Sequence, residues 1–182
     1  MDARTVKDLM VSLDEYAVVP EQATVLDALN ALELAQENLP PRREPHRAVL
    51  VVDKKKKVIG KIGQLAFLRA LEPKYLYLGD LKTLSRAGLS DEFIGDMMEN
   101  LSFMRGSLED ICRQAGLLKA RDVMHPVSES IDEDAPLAEA IHKIVLWQTL
   151  SILVTRRSEA VGILRLSDLF TTVAAKIKHT TA

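Results

Sequence analysis

Apolar residues follow Thr24 at Val25, Leu26, Ala28, Leu29 and Leu32, a spacing that lays one greasy stripe along a helix capped by the threonine. The stretch Asn38-Leu39-Pro40-Pro41-Arg42-Arg43-Glu44-Pro45 must then be a loop, since three prolines in six residues deny helical hydrogen bonding. A short apolar run at Tyr16 to Val19 precedes the helix, and Ala48 to Val52, continuous and rich in β-branched side chains, suits a buried strand. Asp53-Lys54-Lys55-Lys56-Lys57 reads as a hairpin turn and Val58 to Ile62 as its return strand. Gln64 to Leu71 closes the unit as a helix, stopped before Pro73.

The same plan then returns. Ile131 lies near a first strand, Pro136 opens a helix through Trp147, Ser151 to Val154 is a strand, Arg156 to Glu159 a turn, Ala160 to Leu164 its return, and Ser167 to Lys178 a last helix. Each copy thus predicts strand, helix, strand, strand, helix. The words repeat as well as the pattern. Val6-Lys7-Asp8-Leu9-Met10 matches Ala120-Arg121-Asp122-Val123-Met124, the segment from Ala23 to Ala28 matches that from Ala135 to Ala140, and Val58-Ile59-Gly60 matches Ala160-Val161-Gly162. Order is kept while loop lengths drift, and neither copy is large enough to bury a good core alone. The expectation is an α/β fold of two βαββα repeats related by a pseudo-twofold axis, with two equivalent clefts between them.

Between the copies, about Lys74 to Lys119, runs a segment that belongs to neither. Ser90 is an N-cap candidate with Asp91 and Glu92 in the first turn. Phe93, Ile94, Met97, Met98, Leu101 and Met104 follow at helical spacing, then Leu108, Ile111, Cys112 and Ala115 after a break at Gly106-Ser107. A helical hairpin is predicted, dividing the chain into a first repeat (1–73), an insert (74–116) and a second repeat (117–182).

Composition narrows the function classes. With 182 residues, 47% hydrophobic and 27% charged, the chain sits in the globular range, and its net charge of -2 gives no global case for nucleic acid or an anionic membrane. Cys112 is the only cysteine, which excludes an intrachain disulfide and a cysteine-rich zinc site. No stretch approaches the ~20 apolar residues that span a bilayer, the N-terminus lacks a signal-peptide core, and a cytoplasmic location is expected. His46, His125, His142 and His179 show no metal-ligand spacing, and no nucleophile elbow or phosphate-binding glycine loop is present, so an enzyme is not expected, nor a cofactor or metal.

The repeated words, above all Arg121-Asp122-Val123-Met124 leading to Asp134-Ala135-Pro136-Leu137-Ala138-Glu139-Ala140 and Val161-Gly162-Ile163-Leu164-Arg165-Leu166-Ser167-Asp168-Leu169, resemble those of tandem CBS-domain proteins, the module named after cystathionine β-synthase. The resemblance covers roughly 4 to 72 and 117 to 178. It implies a regulatory module binding AMP, ADP, ATP or S-adenosylmethionine between the repeats. In the family's closing motif a Gly is followed by a Thr or Ser that contacts ribose or phosphate and by an Asp that holds the ribose hydroxyls. A carboxylate suits that task because it accepts from both hydroxyls of a cis-diol.

Here the second repeat keeps that Asp as Asp168 but has Arg165 in the Thr position, while the first has Gly63 and Ala66. The first cleft therefore lacks the clamp, and at most one nucleotide per chain is expected. Asp168 reads equally as a helix-start charge, and Arg165 either as a phosphate fork or as a partner for a surface carboxylate. Ser130 aligns with the family's adenine-proximal Thr, where the first repeat has Val18. His125, entering the second cleft, and Ile152, on the strand beside it, complete the candidate ligand set.

Lys54 to Lys57, without interleaved aromatics, read as a solvated loop. Arg42, Arg43, His46 and Arg47 read as a second basic group, with a phosphate-binding rim as the minority reading, and because the chain as a whole is slightly acidic RNA or DNA binding is the weakest reading. A homodimer through the last helices of the repeats and the helices carrying Leu29 and Trp147 is expected, with an effector protein still to be identified. The rival reading is a non-enzymatic interaction module with degenerate clefts, whose working surface is the Met-rich insert.

Overall fold

The computed structural model describes residues 5–39, 44–72, 90, 107–127 and 129–180. The stripe from Phe93 to Met104 and the arginines Arg42 and Arg43 lie outside these residues.

In the first repeat β2 (Val18–Pro20) leads into α1 (Val25–Glu37), β3 (Ala48–Val52), β4 (Val58–Gly63) and α2 (Gln64–Arg69). Thr24 starts α1 with a capping box. Its hydroxyl accepts from the Asp27 N–H at 3.1 Å, and the Asp27 carboxylate accepts from the Thr24 N–H at 2.8 Å. Val25, Ala28 and Leu32 of the predicted stripe are buried, while Leu26 and Leu29 face out. The lysine turn closes on Asp53, whose carboxylate accepts from the N–H groups of Lys55 and Lys57, and Lys56 takes the left-handed conformation at φ 63°.

After α3 (Leu108–Leu117) and the single-turn α4 (Ala120–Val123) come β6 (Ser130–Asp132), α5 (Leu137–Trp147), β7 (Ser151–Arg156), β8 (Glu159–Arg165) and α6 (Leu166–Thr180). The β7–β8 turn has positive φ at both Arg157 and Ser158, the twist a two-residue hairpin needs. In α3 only Ala115 of the expected stripe is buried; Ile111 is half-buried, and Leu108 and Cys112 are exposed. The helix docks on α1 through its last turn, where a Cβ on Gly116 would lie 3.9 Å from Leu26 Cβ.

Each repeat also has a strand that the pattern did not predict, and it belongs to the opposite sheet. β1 (Val11–Ser12) pairs antiparallel with β8 of the second repeat, and β5 (His125–Pro126) pairs antiparallel with β4 of the first. The two sheets therefore run β1-β8-β7-β6 and β2-β3-β4-β5. Within both, the short strand lies parallel to the one after the helix, as Val18 opposite Leu50 and Ser130 opposite Leu153.

The exchange extends through the segment before each short strand. Val6 N–H donates to the Ala135 carbonyl at 3.0 Å and Ala120 N–H to the Ala23 carbonyl at 2.7 Å, two copies of one contact. Val6, Leu9 and Met10 pack into the core of the second repeat with Ile131, Ile144 and Leu169. Ala120, Val123 and Met124 do the same in the first, with Ala28, Val49 and Ile62. Glycine makes room at both crossings. A Cβ on Gly60 would strike the Met124 side chain, and one on Gly162 would lie 2.6 Å from the Val11 carbonyl oxygen. A third cluster, Val11, Tyr16, Leu50, Val58 and Ile163, joins the two sheets face to face.

Candidate functional site

Pseudo-symmetry places one cation from each repeat between the sheets. Gly60-Lys61-Ile62-Gly63 on β4 corresponds to Gly162-Ile163-Leu164-Arg165 on β8, so the charges occupy different registers and reach different clefts.

Arg165 is 5% exposed, and its fork grips Asp168 one turn on, with Nε 2.5 Å from Oδ2 and Nη2 2.8 Å from Oδ1. Its remaining nitrogen, Nη1, donates to the Glu44 carbonyl at 2.7 Å and faces His46 Nδ1 at 3.4 Å. Arginine has only donors, so in a hydrogen bond between the two it is His46 Nδ1 that accepts. His46, grouped in sequence with the basic residues around it, is buried instead: the ring is 2% exposed, edge-on to Tyr16 with centroids 4.5 Å apart. Burial pushes the Tyr16 hydroxyl up to about 12, with Asp168 adding to the rise and Arg165 opposing it. This cleft is filled by an ion pair of the second repeat, whose arginine reaches across to Glu44 and His46 of the first. Arg165 pairs in the interior, not at the surface, and Asp168 serves Arg165 before any helix end.

The other cleft is open. Lys61 leaves the first repeat's sheet and lands on the second repeat, where Nζ donates to Thr149 Oγ1 at 3.0 Å, the Ser151 carbonyl at 2.8 Å and Ser151 Oγ at 3.2 Å. All three acceptors are neutral, and among the described residues no carboxylate forms an ion pair with this ammonium. Burial lowers the Lys61 pKa, with the negative charge of Glu129 opposing. Leu50, Pro126, Val127, Glu129, Trp147, Ile152, Leu153 and Ile163 complete the walls, around a cavity of about 30 Å³. That is room for about two waters. Lys143 Nζ stands 5.5 Å from the centre of the Trp147 ring.

The expected ligand set is thus divided between the clefts. Arg165 and Asp168 lie together in the closed one and Ile152 lines the open one. His125 sits on β5, directly opposite Lys61, and burial, then Arg69, then Lys61 lower its pKa. Ser130 is exposed on β6, its carbonyl accepting from Lys143 at 3.2 Å. Sequence reasoning missed Lys61, Trp147 and Thr149. The available signal was a lone lysine on β4, on the half-buried face shared by Ile59 and Gly63. Among the described residues no cluster of His, Cys, Asp and Glu can hold a metal, and no helix is long and apolar enough to cross a membrane.

A family model of the CBS domain matches residues 6–73 and 120–175. No curated protein sequence matches the chain. Among solved structures, CBSX2 in complex with AMP is similar with a TM-score of 0.60 and 17% identity, over 97% of this chain and 99% of that one. The CBS domain of a CBS-domain-containing membrane protein from Sphaerobacter thermophilus gives 0.59 at 21% identity, over 94% and 88%. A CBS-domain-containing protein from Agrobacterium tumefaciens gives 0.59 at 14% identity, over 94% of each chain.

Proposed function

The chain belongs to the CBS-domain family, carrying its unit twice, and we propose that it is a regulatory module of the cytoplasm that binds an adenosine compound between the repeats and performs no covalent chemistry. One observation carries this reading: the open cleft brings an indole ring and a partly buried ammonium together at the seam of the two halves. An aromatic face suits a purine, and polar groups converging on an apolar crevice are the usual signature of a ligand site. The AMP complex of the similar CBSX2 points the same way.

Lys61 bridges the repeats, and a ligand that displaces it from Thr149 or Ser151 alters one of the contacts between them. Such a ligand shifts a downstream partner only by its differential affinity for the two orientations. One site per chain is expected, because in the other cleft both oxygens of Asp168 already accept from Arg165, and a ribose must compete with that ion pair.

The recipient is a separate effector protein or a second copy of the chain. For the second copy, Leu26 of α1, Leu68 of α2, Val145 and Leu146 of α5 and Phe170 of α6 are each more than half exposed. Helices of both repeats contribute apolar side chains of this kind, which suits a homodimer. Light scattering at micromolar concentration is expected to give a dimer mass.

Calorimetry with adenosine, AMP, ATP and S-adenosylmethionine tests the ligand reading. Saturable binding near one per chain is expected. Silence from all four defeats it and leaves a module that works through its surface alone.

A further inference from the structure

We infer that the open cleft selects its ligand by the phosphate: Lys61, with the hydroxyls of Thr149 and Ser151, forms an anion seat that admits adenosine phosphates and disfavours uncharged or cationic adenosine compounds. This rests on the ligand reading above and specifies its chemical class.

The contrast between the two interior cations is the first argument. Arg165 has a carboxylate gripping two of its nitrogens, whereas Lys61 is surrounded by oxygens that carry no charge. A partly desolvated ammonium held only by neutral acceptors gains more from an anion than a solvated or paired one. Lysine on a flexible stem meets phosphate as a point charge, and exchanging one neutral acceptor for a phosphate oxygen requires no backbone movement.

The second argument is the company Lys61 keeps. The Ser151 hydroxyl and the Thr149 hydroxyl, which now donates to the Ser151 carbonyl at 2.9 Å, can each turn to donate to an incoming oxygen. Lys61 stands opposite His125 in the β4–β5 pairing, and the positive charges of Arg69 and Lys61 both bear on that ring. Glu129 is the opposing charge on the walls, and it is exposed to solvent, where its field is screened. A sulfonium brought to the same place meets Lys61 with like charge.

The seat also gives the phosphate a mechanical meaning. Lys61 is rooted in the first repeat and its acceptors in the second, so an anion there makes bonds to both halves at once.

Isothermal titration of the full chain with AMP, adenosine and S-adenosylmethionine provides the test, repeated on Lys61→Met and Lys61→Arg. Charge-assisted hydrogen bonds predict that AMP binds at least about tenfold tighter than the other two. Lys61→Met is expected to erase that margin while leaving adenosine within about twofold, and Lys61→Arg to keep most of it. AMP affinity in the unmodified chain is expected to fall as pH rises, earlier than for an ordinary lysine contact. Equal binding of AMP and adenosine overturns the phosphate seat while sparing the ligand reading, and so does a Lys61→Met change that weakens both alike. If Lys61→Met fails to fold, the AMP-to-adenosine ratio of the unmodified chain decides alone. Absence of binding by all three overturns both.

Discussion

Arg165 and Asp168 are the side chains whose replacement should be felt most widely. The guanidinium is buried, and losing its carboxylate leaves a positive charge in the interior with only a carbonyl and an imidazole to face. Asp168→Ala is therefore expected to cost about 3–5 kcal/mol of folding stability, read as a lower denaturant midpoint. The double change Arg165→Met with Asp168→Ala should recover much of that loss, because it removes the stranded charge as well. Any loss of ligand binding in Asp168→Ala reports destabilisation first, which makes Lys61 the better residue for probing the cleft.

Tyr16, beside this pair, links stability to pH. Its folded pKa, about 12, lies above the unfolded value near 10, so the fold favours the protonated phenol. That contribution is complete below pH 10 and is lost as pH rises from there through 12. Urea titrations across this window should show a steeper decline for the unmodified chain than for Tyr16→Phe, in which the ring stays and the ionisable group goes.

At the scale of elements, the long apolar runs were legible and the short exchanged strands were not. Ala48 to Val52 announces itself because its side chains are buried on both faces, and α1 because its stripe and cap agree. A two-residue strand has no period to detect. The partners of Val11 and Ser12 lie far along the chain at Ile163 and Gly162, and nothing local specifies that pairing. The duplicated Met10 and Met124 were the visible trace, since each packs beside a glycine of the opposite repeat. His46 was misjudged for a related reason: its sequence neighbours are basic, but its spatial neighbours are Arg165 and Tyr16. Lys61 escaped notice because a single lysine in a strand resembles an outward-facing residue until the facing sheet is in place.

The two crossings should respond differently to a methyl group. On Gly162 a Cβ meets the Val11 carbonyl, which is held by the β1–β8 pairing and cannot step aside. On Gly60 its nearest atoms belong to the flexible Met124 side chain. Gly162→Ala is expected to cost about 1–3 kcal/mol and Gly60→Ala clearly less, with thermal melting as the measure.

For the whole molecule, what matters is that neither core is completed by its own repeat. The second repeat's core contains Val6 and Met10, and the first's contains Ala120, Val123 and Met124. Deleting residues 1–12 is therefore expected to expose the remote second repeat, with faster amide hydrogen exchange at Ile163 and Leu164, more than the first repeat in which the deletion lies. The proposed ligand seat sits on the same seam, so its occupancy is expected to bear on the mutual support of the repeats.

The exchanged lead-ins also constrain how such a chain can have arisen. A solitary unit of this design would offer its opening strand and receive none, leaving a raw sheet edge and an unfilled core until a twin supplied the missing piece. Reciprocal donation between two separate polypeptides satisfies both needs. Gene fusion then turns an encounter that depends on concentration into a tether, and frees each half to diverge, one strand keeping an arginine and its acidic mate, the other a lysine facing only neutral oxygens.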